Sequence, residues 1–345
     1  MIHYVAGFIL PLLWFVLSLS VSAEEQHTPK ILSEAEVIDI PLASPLDSPD
    51  AEISGLSWCD DKLIVLPQYP GFESNRKDKE RFFYFFETQQ IEAALESTKP
   101  DPLVPYPLKL ELEDIHFGLF KFDGFEAIAC EGDDQYVLIE AINIEMQYQS
   151  YLIPISIDWA SSTVKIHSEQ MRLVPPQTKL WNIGYEALLL QDKKVIAFHE
   201  VNSKKSVSEP KAAVIEATKD QATSLPFVDL PYRLTDVTAL DQNKRFWAIN
   251  YQWEGDKRFA VDSDPVEVRY GIGRSHQSRE HLERLLEFKL DNQRISATGR
   301  TPIYLELKLS EGRNWEGLAR WRDQGLLIAT DKHPGSRFGF VAFNP

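Results

Sequence analysis

Five stretches of this sequence decide the fold: ISGLSWCDDKLIVLPQ (53–68), FEAIACEGDDQYVLIEA (125–141), YEALLLQDKKVIAFHEV (185–201), TDVTALDQNKRFWAINY (235–251) and WEGLARWRDQGLLIATD (315–331). Each contains a polar residue followed by a small one, with Val237 the largest of these small residues. A short apolar segment, several turn-forming residues and a second apolar segment come next. This pattern is typical of a β-hairpin, so the sequence predicts the same hairpin in all five places.

The spacing of the hairpins predicts an all-β repeat fold. Successive hairpins begin 50 to 80 residues apart, which leaves room for two further strands in each interval. A four-stranded antiparallel unit repeated around an axis is a blade of a β-propeller. We count five blades, and six remains open if a long interval contains a degenerate blade. The segment AEVIDIPL (35–42) is predicted to close the ring as the outer strand of the last blade, because that strand is missing after residues 338–343.

The chain is predicted to be one domain behind a cleaved leader. Residues 1–23 carry no Lys, Arg, Asp or Glu, and Val21-Ser22-Ala23 fits the small-x-small cleavage rule. We interpret residues 1–23 as a secretory signal peptide, with an uncleaved membrane anchor as the alternative. Residues 24–345 then form a single propeller domain, with a short helix near 88–97 and a polar insertion at 253–284. No later segment is apolar enough to span a membrane.

Charge and cysteine content narrow the classes of partner. The formal net charge of −16 disfavours nucleic acid and suits a cationic ligand, or simply solubility. Cys59 and Cys130 could pair in an exported protein, and two buried free thiols are the alternative.

The hairpin ends predict an acidic rim around one mouth of the channel. The inner strand of a blade starts where the second strand ends, so both end positions should meet at that mouth. The first-strand positions are Ser54, Glu126, Glu186, Asp236 and Glu316, and the second-strand positions are Gln68, Glu140, Glu200, Asn250 and Asp331. Seven of these ten side chains are carboxylates. We predict a Ca²⁺ site there, with six metal ligands: Glu126, Glu140, Glu186, Asp236, Glu316 and Asp331.

A structural role for these carboxylates is the alternative, because they could cap the backbone of neighbouring inner strands. Basic residues in the loops on the same face would suit an anionic ligand bridged to the metal, although ordinary solvated charge is equally compatible. These residues are Arg76, Lys77, Lys79, Lys257, Arg258, Arg269, Arg274, Lys332, His333 and Arg337. Trp181, Trp315 and Trp321 are interpreted as packing between blades.

The segment beginning Asn314-Trp-Glu-Gly-Leu-Ala and continuing Gly325-Leu-Leu-Ile-Ala-Thr-Asp331 resembles the phytase-like domain family. Phe125-Glu-Ala-Ile and Tyr185-Glu-Ala-Leu are short motifs that resemble the same family. Members of that family are exported bacterial β-propellers described as having esterase-like activity. The resemblance implies a Ca²⁺-dependent hydrolase of phosphate or carboxylic esters, with Glu126, Glu186 and Glu316 as ligands of the metal or of a bound water.

The sequence therefore predicts a periplasmic or secreted, metal-dependent hydrolase that acts on a small anionic ester and is a monomer. Glu186 or Glu200 would be the base, and Lys332 or Arg274 would stabilise negative charge. The alternative is a propeller without catalytic activity that binds a ligand or a protein partner at the same mouth.

Overall fold

The computed structural model describes Met1 and residues 29–72, 80–111, 119–216, 218–219, 221–278, 280–308, 312–333 and 335–343. The predicted signal peptide lies outside the described residues apart from Met1. So do Arg76, Lys77 and Lys79 of the predicted basic loops.

Every predicted hairpin is present as an antiparallel strand pair. The pairs are Ile53–Cys59 with Lys62–Pro67, Leu119–Glu131 with Asp134–Asn143, Tyr185–Gln191 with Lys194–His199, Leu230–Val237 with Arg245–Gln252, and Trp315–Trp321 with Gly325–Thr330. The first strand of each pair is called the inner strand below. The hairpin prediction is confirmed because apolar segments flanking short polar turns pair in this way.

Four-stranded antiparallel units are built outward from these hairpins, after three short strands: β1 (Ile31–Leu32), β2 (Glu34–Ala35) and β3 (Ile38–Asp39). The first unit contains β4 (Ile53–Cys59), β5 (Lys62–Pro67), β6 (Phe82–Glu87), helix α1 (Thr88–Glu96) and β7 (Tyr106–Glu111). The second contains β8 (Leu119–Glu131), β9 (Asp134–Asn143), β10 (Tyr148–Asp158), β11 (Thr163–Ile166) and β12 (Arg172–Leu173). Helix α1 confirms the helix predicted near 88–97.

The later units follow the same plan. The third contains β13 (Tyr185–Gln191), β14 (Lys194–His199), β16 (Lys211–Glu216) and β17 (Thr223–Pro226), and β15 (Val201–Asn202) crosses to the fourth. The fourth contains β18 (Leu230–Val237), β19 (Arg245–Gln252), helix α2 (Pro265–Tyr270), β20 (Ile272–Gly273), β21 (Leu282–Leu290), β22 (Ile295–Ala297) and β23 (Ile303–Leu305). The last contains β24 (Trp315–Trp321), β25 (Gly325–Thr330) and β26 (Phe338–Ala342).

Hydrophobic packing joins neighbouring units rather than filling one central core. Each inner strand contacts the inner strands on both sides: β4 contacts β8, β8 contacts β13, β13 contacts β18, β18 contacts β24, and β24 contacts β4. One cluster joins Leu56 of the first unit to Leu327 of the last, and another joins Ile64 to Val137 of the second unit. Strands buried on both faces need continuous apolar runs, which is why the repeats lack polar–apolar alternation. This mostly β arrangement is that of a β-propeller.

A disulfide crosses between the first two inner strands. Cys59 at the end of β4 is bonded to Cys130 near the end of β8, and their Cα atoms are 5.2 Å apart. The sequence left this pairing open, and the structure resolves it in favour of a bond.

The segment predicted to be one outer strand contacts several units in turn. Strand β2 pairs in parallel with β23, and β3 pairs antiparallel with β26 through Ile38 and Phe340. A bridge then joins Leu42 to Leu103 of the first unit. The predicted pairing with the last unit is thus limited to β3, because the chain leaves the fourth unit only after β2.

The polar insertion contains several short regular elements. It contains the 3₁₀ turns Lys257–Phe259 and Ser275–Ser278, helix α2, and β20, which pairs with β1. Residues 282–284, predicted to end the insertion, lie instead in strand β21, where Leu282 and Leu285 are buried. Within the described part of the chain, no helix is long and apolar enough to cross a membrane.

Candidate functional site

A β-bulge occurs at the first-strand position of every hairpin. In the second unit Phe125 pairs with Ile139 and Ala127 pairs with the next residue, Leu138, so Glu126 is the extra residue. Glu186 and Glu316 are extra residues in the same way. A bulge twists the strand and redirects the side chain of the extra residue. The repeated polar-then-small motif therefore marks a bulge, and in three repeats the bulge brings an acidic side chain, Glu126, Glu186 or Glu316, to one shared cavity.

These side chains meet in one cavity of about 710 Å³, called the acidic cavity below. Six carboxylates at the ten predicted positions line it: Glu126, Glu140, Glu186, Glu200, Glu316 and Asp331. Asp123 and Glu254 also line it, whereas the basic side chains along its described wall are Arg233 and His333. The cavity therefore carries a large excess of acidic groups.

Asp236, a predicted metal ligand, does not line the acidic cavity. Its carboxylate accepts hydrogen bonds from the backbone N–H groups of Leu318 at 2.6 Å and Val237 at 2.8 Å. Ser54 at the equivalent position donates to the backbone carbonyl of Phe125 at 2.6 Å. The alternative interpretation, in which the polar side chain ties neighbouring inner strands together, describes these two positions.

The fourth unit presents an arginine to the acidic cavity instead. Arg233 lies in the same inner strand, three residues before Asp236, and forms ion pairs with Glu200 and Asp256. Asn250 is buried and accepts a hydrogen bond from Arg284 at 2.8 Å, away from the cavity. Sequence comparison of the repeats missed Arg233 because it precedes the compared segment 235–251; among the other repeats, the last one alone has a basic residue at that offset, Arg313. The available signal was an arginine within an otherwise buried strand.

Glu126 and Glu140 are held by neutral partners. The Gln68 amide donates to Glu126 at 3.2 Å, and Glu140 accepts from the hydroxyls of Tyr148 and Ser150. Burial raises the pKa of Glu126 well above its usual range, and repulsion from Glu140 adds to this. Burial also raises the pKa of Glu140 to about 7, despite the two hydroxyl donors. Both acids hold protons more strongly than exposed carboxyls do.

Gly184 makes room for Glu140. A Cβ atom on residue 184 would overlap the Glu140 carboxylate and lie 2.6 Å from Ser150 Oγ. The backbone before the third inner strand therefore passes directly against an acid of the second unit.

Glu186, Glu316 and Asp331 complete the acidic wall. Burial raises the pKa of Glu186, as does repulsion from Glu126 and Glu140. Burial and repulsion from Asp331 raise the pKa of Glu316. Asn314 donates to both of these, at 2.6 Å to Glu316 and 3.2 Å to Asp331. Oδ1 of Asp331 has no hydrogen-bond partner among the described residues.

Glu200 differs from the other acids because it faces a cation. One carboxylate oxygen pairs with Arg233, which is itself fixed by Asp256. The other oxygen, Oε2, is buried and finds no hydrogen-bond donor within the described part of the chain. Glu200 is thus oriented on one side and free to accept on the other.

The two cations predicted to assist catalysis lie elsewhere. Lys332 pairs with Glu52 at 2.5 Å and is half exposed, and Arg274 is exposed and does not line the acidic cavity. Other predicted loop cations also have partners of their own. Arg258 pairs with Asp256 at 2.8 Å, and Arg337 with Asp39 at 3.6 Å. Of the described loop cations predicted for an anionic ligand, His333 is the one that lines the cavity.

The acidic cavity meets the chemical preference of Ca²⁺, but its described residues are not arranged around a metal position. Its acidic oxygens are the ligands that Ca²⁺ takes, and two buried ones, Glu200 Oε2 and Asp331 Oδ1, have no hydrogen-bond partner among the described residues. Among the described residues, however, no group of three or more His, Cys, Asp or Glu side chains is arranged to hold a metal ion. His199, which directly precedes the cavity residue Glu200, is buried with its ring centroid 5.1 Å from that of Tyr185. Burial lowers the pKa of His199 to about 4.

Aromatic side chains also line the acidic cavity. Tyr69, Tyr148, Tyr251 and Trp253 line it. Trp315 and Trp321 are buried, as the packing interpretation predicted, but Trp181 is 56% exposed and contacts Tyr148 with ring centroids 5.7 Å apart. The interpretation of Trp181 as packing between blades is therefore wrong, because its ring rests on the cavity wall.

Comparison with known proteins gives remote structural likenesses. No protein-family profile and no curated protein matches the chain. An Escherichia coli soluble aldose sugar dehydrogenase aligns at 8% identity and a TM-score of 0.43, covering 86% of this chain and 98% of that one. A Bombyx mori GH32 β-fructofuranosidase aligns at 9% identity and a TM-score of 0.46, covering 86% and 62%. Likenesses this remote do not identify a function.

Proposed function

We propose that the chain is a five-bladed β-propeller whose ring is completed by β3. The cyclic contacts of the inner strands and the pairing of β3 with β26 support this. We further propose that the protein is exported to the periplasm or secreted and is a monomer. The Cys59–Cys130 disulfide supports export, because such bonds persist in oxidising compartments.

We propose that the acidic cavity is the active site of a hydrolase of phosphate or carboxylic esters, assisted by Ca²⁺. The observation that carries this is the contrast between two acids in one cavity. Glu186 has a raised pKa and no cationic partner among the described residues, whereas Glu200 is paired with Arg233 and has a free oxygen. A carboxyl that holds its proton and a second carboxylate with an oxygen free to accept one are suited to acid–base catalysis.

The roles of the residues follow from that contrast. Glu200 Oε2 accepts a proton from a water molecule while the oxygen of that water molecule attacks the ester carbon or phosphorus. Protonated Glu186 donates its proton to the departing alkoxide, so the ester bond breaks to give an acid and an alcohol. Arg233 stabilises negative charge that develops beside Glu200. Bound Ca²⁺ would polarise the ester and offset repulsion among the other acids.

The test is a screen of phosphate and carboxylic esters with metal-analysed protein, with and without chelator. Glu200→Gln and Glu186→Gln should each lower kcat by at least about a hundredfold, the usual contribution of acid–base catalysis. Glu92→Gln, an exposed residue paired with Arg322 on the outer surface, is the matched control and should not change kcat. Activity that survives both cavity variants would refute the proposed roles.

Binding without catalysis is the second candidate function. The lack of a ready metal-ligand group in the described structure favours it. A ligand that binds the cavity tightly, together with no turnover of any ester with or without Ca²⁺, would select this alternative.

A further inference from the structure

The rim of the acidic cavity presents aromatic faces that packing does not explain. Trp253 is 52% exposed and Tyr69 is 41% exposed, although both rings line the cavity. Trp181 contacts Tyr148, another aromatic residue of the cavity lining. Large aromatic side chains left exposed around a concave site are typical of ligand contact.

Trp253 is held in place by the chain around it. The Trp253 carbonyl accepts from the Asp256 N–H at 3.0 Å, which closes a tight turn. The indole lies over Gly255, where a Cβ atom would collide with the ring. Asp256 is fixed in turn by Arg233 and Arg258. The same ion pairs that orient Glu200 therefore set the position of an exposed indole ring.

The floor of the cavity requires positive charge or hydrogen-bond donors. Glu200 is only 3% exposed, and its Oε2 lacks a donor among the described residues. A buried carboxylate oxygen without a donor is costly, so a ligand that supplies positive charge is favoured. The buried carboxylates and the exposed aromatic rings of the cavity lining thus suit the same ligand chemistry.

We propose that the acidic cavity binds an organic ammonium group, with aromatic faces of the rim against its alkyl substituents and the carboxylates neutralising its charge. Cation–π attraction and an acidic floor together favour an alkylated ammonium over a neutral molecule of the same shape. The binding site coincides with that of the proposed hydrolase, but binding does not depend on catalysis. If the hydrolase proposal also holds, the ammonium group belongs to the ester substrate.

The test compares choline with 3,3-dimethylbutanol, its uncharged isostere, by calorimetry and tryptophan fluorescence. Tetramethylammonium and methylammonium extend the series. The alkylated cations should bind at least about tenfold more tightly than the isostere, and methylammonium should bind more weakly than tetramethylammonium. Equal binding of choline and its isostere, or binding by none of the cations, would overturn the proposal.

Variants locate the binding to the rim and floor. Trp253→Ala and Glu200→Gln should each weaken choline binding by about tenfold, whereas Trp253→Phe should retain most of it. Tyr106→Ala is the matched control, since Tyr106 is an exposed aromatic residue on the outer strand β7. Unchanged affinity in folded Trp253→Ala would overturn the rim contact. Because choline contains no ester, these results are independent of any failure to detect hydrolysis.

Discussion

The fourth unit and the acidic cavity both bury acidic side chains but neutralise them differently. In the fourth unit Asp264 pairs with Arg284 at 2.6 Å, and Glu283 pairs with Arg313 of the following loop at 2.7 Å. In the cavity several acids face one another, and burial and mutual repulsion raise the pKa of Glu186 and Glu316. These two structural carboxylates come with their own arginine, whereas most of the described cavity carboxylates do not. Charge left unneutralised in the folded chain is charge available to a ligand.

The largest expected effect comes from breaking a buried pair in the fourth unit. Arg284→Met leaves Asp264 buried without its cation and removes the hydrogen bond to Asn250, so unfolding free energy should fall by about 3–5 kcal/mol. Denaturant unfolding measures the loss. The double variant Arg284→Met/Asp264→Leu should recover most of it, because no buried charge remains. A loss below about 1 kcal/mol in the single variant would contradict the assignment of this pair as structural.

The stability contributed by the acidic cavity and that contributed by the ion pairs of the fourth unit should depend on pH in opposite directions. The pKa of Glu140 is raised from 4.5 to about 7, so its stabilising contribution is complete below 4.5 and is lost as the pH rises through about 7. Burial would also raise the pKa of Asp256, but Arg258 and Arg233 hold it at about 2, below its ordinary 3.8. Its contribution is therefore lost as the pH falls from 3.8 toward 2.

Thermal unfolding across this range measures both limbs. Tm should fall between pH 5 and 8, and Glu140→Gln should flatten that limb. Asp256→Asn should flatten the acid limb instead. A Tm that rises from pH 5 to 8 would show that the cavity acids are not the dominant titrating groups.

A smaller effect is expected where backbone and carboxylate meet in the cavity. Gly184→Ala must displace Glu140 from Ser150, and overpacking of this kind costs about 1–3 kcal/mol. Gly55→Ala is the matched control, because a Cβ atom there would meet its neighbours at an ordinary 3.5 Å. Denaturant unfolding compares the two variants. Equal stability of the two variants would mean that the Glu140 side chain can adopt another conformation without loss of stability.

The smallest effect has the opposite sign. Glu186→Gln keeps the shape of the side chain but removes a carboxyl whose pKa is raised by burial and by Glu126 and Glu140. Because such a group opposes folding at neutral pH, the unliganded protein should gain about 1 kcal/mol. The exposed variant Glu92→Gln should change stability by less than about 0.5 kcal/mol. Destabilisation by Glu186→Gln in the absence of ligands would indicate that this carboxylate is structural after all.

The hairpins and most of the acidic cavity residues could be predicted from the sequence, but the direction in which each acidic side chain points could not. Apolar runs and turn residues are local signals, so the strands could be predicted from them. The bulge at Glu126 or Glu186 depends on the register between two strands, which a single strand does not encode. Asp236 occupies the same place in the repeat, yet its shorter side chain bonds to the backbone of Leu318. The repeat therefore identified the position but not which way the carboxylate points.

The cations were harder to predict because proximity along the chain is a poor guide to proximity in space. Lys332 directly follows the cavity residue Asp331, yet its side chain pairs with Glu52. Arg233 lies outside the compared segments, and its role depends on Glu200 and Asp256 from different parts of the chain. Ion pairing between distant segments is set by tertiary packing, which local composition does not report.

The pairing of β3 with β26 has a consequence for the order of folding. Phe340 follows Ile38 by about 300 residues, so the outer edge of the last unit can be completed only after residue 340 has been made. Contacts between such distant residues form slowly, because loop closure has a high entropic cost before the contact stabilises the fold. Until then β26 presents an open strand edge, which is prone to pairing with other chains. Strand β3 thus pairs late in folding, and its pairing protects the folded protein from association through the edge of β26.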